Sequence, residues 1–557
     1  MDAILLILLI VGGSAALSWP LGRYLRHAMD PVSLDGAAGR FHRWFSAVGG
    51  PLTRDEHGWK RYCFDLLAFN VVMFAISFVF LATQQWLPLN PDGKGALEGS
   101  LIFNTVASFT SNTNLQHYSG EVHMSHLSQL CGLMWLQFVS PAVGLAALVA
   151  MARALVGRPM GNFFVDVQRA TFLVMLPACI VLALLLSIAG MPMTLSGSVT
   201  ATTLEGVEQI IARGPVAAFV AVKQLGTNGG GFFGPNSTHP FENPNFWTNV
   251  MSTIAIVVMP MAAVWMFGRI VSRMRHAAVV FGVMTVLLLA KVACAMTWEA
   301  APTQAFASLP ILQDTGNLEG KELRFGAAAG PLWAVLTTCT SNGSVNCMHD
   351  SLNPLTGMVP MVGMWLNATF GGVGVGLINM FLYIVLAVFL AGMMVGRTPE
   401  YLHRRVEVRE VKLTILAVFA HALFVLAGTA LFAATAWGKD TLNNTGAHGF
   451  SEILYEFSSS SANNGSGFEG LGDNTVPWNV ATGLVMLLAR FVPILLPLAI
   501  AGSMAKKRPT AQSAGTLAID TTTFGVMLLA TILFLGALTF FPAAALGPIA
   551  EHLQFTK

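Results

Sequence analysis

The chain has 557 residues, of which 54% are hydrophobic and only 10% charged, with a formal net charge of +2. That is too little charge to cover a water-soluble body of this size, so the chain is expected in lipid. The small, dispersed net charge excludes a nucleic-acid surface and a large acidic partner as organising themes.

Taken in chain order, the first apolar window, residues 3–21, has no basic residue before it and Arg23 and Arg26 directly after it. It reads as a retained helix rather than a cleaved leader. Crossing roughly 30 Å of hydrocarbon takes about 20 mostly apolar residues. Windows that meet this condition recur at 64–82, 130–151, 171–189, 248–268, 277–296, 357–395, 413–435, 479–502 and 523–546, ten in all with the first. The seventh is too long for one crossing and carries Gly371, Gly372, Gly374 and Gly376 in its middle. It is expected as two half-helices around a break.

Lys and Arg alternate between the connecting segments: 21 of the 30 lie in one alternate set, beginning with residues 22–63, and 7 in the other. The basic segments are therefore expected on the cytoplasmic side and both termini outside. The six cysteines, Cys63, Cys131, Cys179, Cys294, Cys339 and Cys347, show neither a C-x-x-C pair nor metal-ligand spacing and are expected to be free thiols.

Four of the long external segments share one layout: a moderately apolar stretch, a cluster of Gly, Asn, Ser or Thr, then a descending loop. Aligning the clusters on their central asparagine gives Ser111-Asn112-Thr113, Thr227-Asn228-Gly229, Ser341-Asn342-Gly343 and Asn463-Asn464-Gly465, at intervals of 116, 114 and 122 residues. Such a period equals two spans and a re-entrant loop. The predicted architecture is an all-α integral membrane protein of ten transmembrane helices. Its units are a first helix and cytoplasmic loop at 1–61, pore-loop repeats at 62–168, 169–276, 277–410 and 411–508, and a last helix at 509–557.

Irregular backbone survives at membrane depth only where protein buries it or it lines a wet path, so four such loops imply a lined path. Glycine at three of the four third positions lets successive carbonyls turn toward one axis and replace the hydration shell of a cation. Short helices expected at Ser100–Phe109, Pro215–Leu225, Pro331–Thr338 and Ser451–Ser460 would aim their negative C-terminal ends at the same place. No ring of carboxylates accompanies the clusters, which favours a monovalent over a divalent cation and leaves potassium and sodium both open.

An unpaired charge inside a span costs at least roughly 2.5 kcal/mol. Lys291, near the outer end of its window, is expected to snorkel. Arg490 reads either as a positive charge near the pore exit that repels cations or pairs with the break in repeat three, or as half of a structural ion pair, and Asp65 as an interfacial residue. The break at Phe370, Gly371, Gly372, Gly374 and Gly376 follows the third cluster in the chain, so it is expected on the cytoplasmic side of the filter as a gate. Close helix packing is the alternative. No P-loop, no Asp-Lys-Thr-Gly-Thr phosphorylation motif and no cytoplasmic segment long enough for a nucleotide domain is present, so the chain is not expected to be an enzyme by itself or to bind nucleotide.

Seven segments, in this order, resemble the potassium-binding (KdpA) subunit family of the bacterial Kdp potassium-transporting ATPase. They are Thr110–Glu121 (TSNTNLQHYSGE), Leu225–Phe233 (LGTNGGGFF) with His239–Pro244 (HPFENP), Met348–Ser351 (MHDS), Phe370–Gly376 (FGGVGVG), Gly396–Leu402 (GRTPEYL), His448–Glu452 (HGFSE) and Ala462–Ser466 (ANNGS). The resemblance implies the fold of the K+ transporter superfamily, potassium as the transported ion held by main-chain carbonyls, and a bacterial cytoplasmic (inner) membrane. It also implies partners: a P-type ATPase (KdpB-like) subunit with KdpC-like and KdpF-like subunits. The alternatives are a self-sufficient potassium channel or ion-coupled transporter of the same fold, and an unrelated permease. Two positions depart from the family pattern: Asn342, where relatives can carry another small residue, and Asn367, where many carry an acid.

Overall fold

Among the described residues, ten helices are long and apolar enough to cross a membrane: Ala3–Met29, Trp59–Ala82, Ser128–Leu155, Phe163–Ile188, Phe246–Ile270, Met274–Glu299, Val375–Met394, Val408–Ala434, Val476–Ala505 and Thr522–Leu546. The structure is a computed structural model that describes residues 3–31, 36–303, 306, 309–396, 398–510 and 517–555. Lipid offers no hydrogen bonds, so every spanning segment satisfies its own backbone, and wide turns at Leu8–Gly12, Ser128–Met134 and Ala170–Met175 are absorbed without breaking the helices. Ends are fixed where the sequence supplies a cap: Asn245 accepts from the backbone of Thr248 at the start of span five, and Thr521 from that of Phe524 at the start of span ten.

Spans two to nine group into four units of outer helix, re-entrant pore helix, irregular loop and inner helix. The pore helices are Gly99–Thr110, Val216–Leu225, Ala329–Cys339 and Gly446–Ala462. The inner helices form the centre. The most apolar stretches of Ser128–Leu155, Phe246–Ile270 and Val375–Met394 are each 83% buried, against 28% for the outer helices Trp59–Ala82, Phe163–Ile188 and Val408–Ala434. Outward-facing Phe64, Val71, Leu184, Val286, Leu416 and Leu423 present the apolar surface that lipid requires.

Span one packs against the inner helix of the second unit. A Cβ on Gly22 would lie 2.6 Å from that of Trp265, and Trp265 Nε1 donates to Ser18 Oγ at 3.0 Å. Six cysteines are free, as expected. Asp65 is buried at the start of span two rather than open to water; His57 Nδ1 lies 3.1 Å and Arg61 Nε 2.9 Å from its carboxylate. The long seventh window is divided: a helix over Pro354–Leu366 stops at Asn367, in the left-handed conformation, and a second begins at Val375 after Gly374. Arg397, inside the family-like motif Gly396–Leu402, lies outside the described residues.

Candidate functional site

Each pore helix runs into its irregular loop without a connecting coil, and the last helical carbonyls bond the loop's own amides. Ser108 O accepts from the N–H of Thr113 (2.9 Å) and Asn114 (3.2 Å), and Lys223 O from Asn228 (2.9 Å) and Gly229 (3.2 Å). Thr337 O accepts from Asn342 N and Ser459 O from Asn464 N, both at 2.9 Å. Loop amides thus turn back onto the helix ends and their carbonyls are left on the other side.

The loops also touch in cyclic order. A Cβ on Gly229 would fall 1.8 Å from Asn342 O, on Gly343 2.0 Å from Asn464 O, and on Gly465 2.0 Å from Thr113 O. All three glycines have positive φ (78°, 88° and 101°), so each is required twice, by conformation and by contact. Between units one and two the ring closes differently. Asn112 Nδ2 donates to Thr227 O at 2.8 Å, and Gln137 Nε2 bridges Asn114 Oδ1 (2.8 Å) and Gly230 O (3.3 Å).

These contacts correct the alignment of the first cluster by one residue. Thr113, not Asn112, matches Asn228, Asn342 and Asn464, and Asn114 matches the three glycines, with φ of 55°. Ser111 precedes the ring and caps the pore helix, its Oγ 2.6 Å from Thr113 Oγ1. The ring asparagines do not turn their side chains inward. Asn342 Nδ2 donates to Lys223 O (3.2 Å) and Asn464 Nδ2 to Thr337 O (2.9 Å), each stapling its loop to the preceding unit. Among the described residues none donates a hydrogen bond to the carbonyl oxygens of Thr113, Asn228, Asn342 or Asn464, although all four residues are buried.

Beneath the ring, the segment 367–374 meets all four units. Gly371 N donates to Cys339 O (2.9 Å), Val373 N to Thr227 Oγ1 (3.1 Å), and Asn367 Nδ2 to Ala462 O (3.2 Å). Ser341 Oγ donates to Asn367 Oδ1 (2.8 Å). A Cβ on Gly374 would lie 2.2 Å from Gly144 O, and one on Gly376 1.8 Å from Phe370 O. Gly372 differs: its Cβ would meet nothing nearer than 3.6 Å, the neighbours being Ser341 Cβ and Thr227 Oγ1. Arg490 is buried beside this segment, with Nη2 donating to Ser140 O at 3.2 Å, and no ion pair involving it is found among the described residues. Lys291 does not snorkel. It is buried on the inward face of its helix, with Nζ donating to Thr369 Oγ1 (2.8 Å) in the break.

The description "KdpA: Potassium-transporting ATPase A subunit" belongs to a family model that matches residues 5–553. The chain belongs to the KdpA family. Relatives named "Potassium-transporting ATPase potassium-binding subunit" are 46% identical in Flavobacterium psychrophilum (97% of each chain covered), 45% in Flavobacterium johnsoniae (96% of each) and 44% in Geobacillus kaustophilus (96% of each). The fold also resembles the crystal structure of the potassium transporter TrkH from Vibrio parahaemolyticus, with a TM-score of 0.51 at 13% identity over 89% of this chain and 98% of that one.

In this KdpA-family chain the structure brings together all four clusters named from sequence, the glycine break and Arg490. Sequence reasoning missed the bracing around them. Lys223 is fully buried in the second pore helix, paired with Glu242, and donates to Asn236 Oδ1 (2.6 Å) and Ser237 Oγ (2.9 Å). Asn236 Nδ2 in turn donates to Gly229 O (2.7 Å). Gln116 clamps unit one to unit two through both its Oε1 and Nε2 on Gly231. The available signal was a lone lysine in the apolar run VAAFVAVKQL followed by an acid in the HPFENP motif.

Proposed function

We propose that this chain is the potassium-binding and selectivity subunit of an ATP-driven uptake complex in the bacterial cytoplasmic membrane, with both termini outside. It takes K+ from the outside through main-chain carbonyls and passes it to a P-type ATPase (KdpB-like) partner assembled with KdpC-like and KdpF-like subunits. One observation carries this reading: four buried carbonyls, one per unit in cyclic contact, that no described residue hydrogen-bonds. A buried carbonyl without a partner is costly, and a dehydrated monovalent cation is the partner such oxygens suit. Four pore-helix C-termini add negative potential at the same place. The names of the relatives select potassium among the monovalent cations.

The segment 367–374 lies across the inner side of the ring with the Arg490 cation next to it. Straight conduction is thereby blocked, which suits a pump subunit because an open channel would dissipate the gradient its partner builds. Hydrolysis belongs to that partner, since this chain carries no phosphate-binding or phosphorylation motif.

The reading is tested by Gly229→Asp in the assembled complex. Its Cβ alone overlaps Asn342 O, so potassium uptake should fall and the rubidium-to-potassium preference should change; a normal preference at normal protein level would remove Gly229 from the filter. Orientation is tested by single cysteines in a background lacking the six native ones. An impermeant thiol reagent on intact cells should label Thr445→Cys and spare Glu56→Cys, and the reverse pattern would invert the topology.

A further inference from the structure

Units one and four meet outside the ring at a set of side chains that the ion path does not use. His117 follows the first filter loop, Glu456 lies on the fourth pore helix, and Asp473 precedes span nine; one ligand atom of each lies within 4.8 Å of the others. His117 Nε2 is 3.3 Å from Glu456 Oε1 and 3.8 Å from Asp473 Oδ2. Two ligands of one tetrahedral zinc ion stand roughly 3.3 to 3.6 Å apart when each bond is about 2.0–2.2 Å.

The other ring nitrogen decides the tautomer. His117 Nδ1 lies 2.7 Å from Asn479 Oδ1, whose own amide nitrogen donates to Ser100 Oγ (3.0 Å) and Asn474 Oδ1 (3.1 Å). The Asn479 oxygen is therefore the acceptor, Nδ1 carries the proton, and Nε2 points at two carboxylates. A lone pair facing two anions needs a proton or a cation between them. A proton leaves the buried group at −1, whereas a dication with a neutral imidazole brings it to zero. A metal-bound histidine typically donates its second N–H to a carbonyl, as His117 does here.

A second grouping, Asp350, His448 and Glu452, is held differently. Both nitrogens of His448 are engaged at 2.8 Å, by Asp350 and Glu551, and Glu452 accepts from the backbone of Asn443 and Asn444.

We propose that His117 Nε2, Glu456 and Asp473 form a site for a first-row transition-metal dication, Zn2+ by its donor set, which ties unit one to unit four beside the outer mouth of the ring. Asp473, whose side chain is 26% exposed, is the entry side. The fourth coordination position is left for water.

The test is calorimetric titration of the purified complex with ZnCl2 in saturating potassium, after chelator treatment and dialysis. The wild type should bind one Zn2+ per chain, and X-ray absorption should show imidazole nitrogen and carboxylate oxygen at about 2.0–2.2 Å. Asn479→Leu should weaken binding about 10- to 100-fold, and Asp473→Asn and His117→Gln by at least as much. Asp473→Asn, at the exposed rim, keeps the test open where His117→Gln does not assemble. Absence of stoichiometric binding, binding that Asp473→Asn and Asn479→Leu leave unchanged, or binding that excess potassium abolishes would each overturn the proposal.

Discussion

The four-loop ring and the break at 367–374 are both irregular backbone between apolar helices, and they are held in different ways. In the ring, loop amides bond the ends of the pore helices, asparagine side chains staple neighbouring units, and glycine Cα atoms press against the next carbonyl, so position is fixed from every side. In the break the contacts are uneven: Gly371, Val373 and Asn367 bond the surrounding units and a Cβ on Gly374 or Gly376 would collide with a backbone carbonyl, whereas one on Gly372 would meet only ordinary contacts at 3.6 Å or more. Glycine permits close backbone approach in both regions, and Gly372 in the break is the position where that approach is not needed. Glycine content alone therefore does not report mobility; the surrounding contacts do.

The comparison is broken most severely by filling the ring. Gly343→Ala places a Cβ 2.0 Å from Asn464 O on a backbone with φ of 88°, so potassium uptake by the complex should be lost at normal protein level. Uptake at the wild-type rate would mean that the ring tolerates displacement and is not the rigid region. Next in size is the bracing pair. Lys223→Met leaves Glu242 buried without its partner and should cost about 3–5 kcal/mol, read as thermal stability of the purified protein, while Lys223→Met with Glu242→Leu should recover most of it. Equal losses in the single and double variants would show that the pair is not coupled.

The comparison is sharpened next by shortening the break. Deleting Gly371–Gly374 should turn the complex into a leak, with potassium running down its gradient without ATP. A well-expressed deletion that stays tight would return these glycines to a packing role.

Much of this was legible from residue order: ten spans, four units and the divided seventh window follow from apolar length and glycine placement. The register of the first loop was not. Asn112 shares its residue type with Asn228, Asn342 and Asn464, but the hydrogen bond to the pore-helix end falls on Thr113, and Asn114 takes the left-handed conformation that glycine takes elsewhere. A pair of variants tests this. Asn114→Gly should retain uptake, whereas Asn114→Val should lose it, because a branched side chain tolerates φ of 55° poorly. Lys291 was misjudged because window position reports depth, not which face of the helix turns inward.

The smallest effect lies in the first turn of the fourth pore helix. Burial pulls the His448 pKa down, but hydrogen bonds to Asp350 and Glu551 prevail and push it up to about 10. Its ordinary value is about 6.5. A raised folded-state pKa gives stabilisation that is complete below the ordinary value and lost as pH climbs to the raised one. Thermal stability should therefore decline between about pH 6.5 and 10 more steeply in the wild type than in His448→Gln, and parallel curves would remove His448 as the cause.

The most direct test of the central claim is to locate the ion. Crystals of the complex grown in rubidium and measured at the rubidium absorption edge should show an anomalous peak coordinated by the carbonyl oxygens of Thr113, Asn228, Asn342 and Asn464, weakened or absent in Gly343→Ala. A rubidium peak elsewhere in the chain, with none among these four oxygens, would contradict the account.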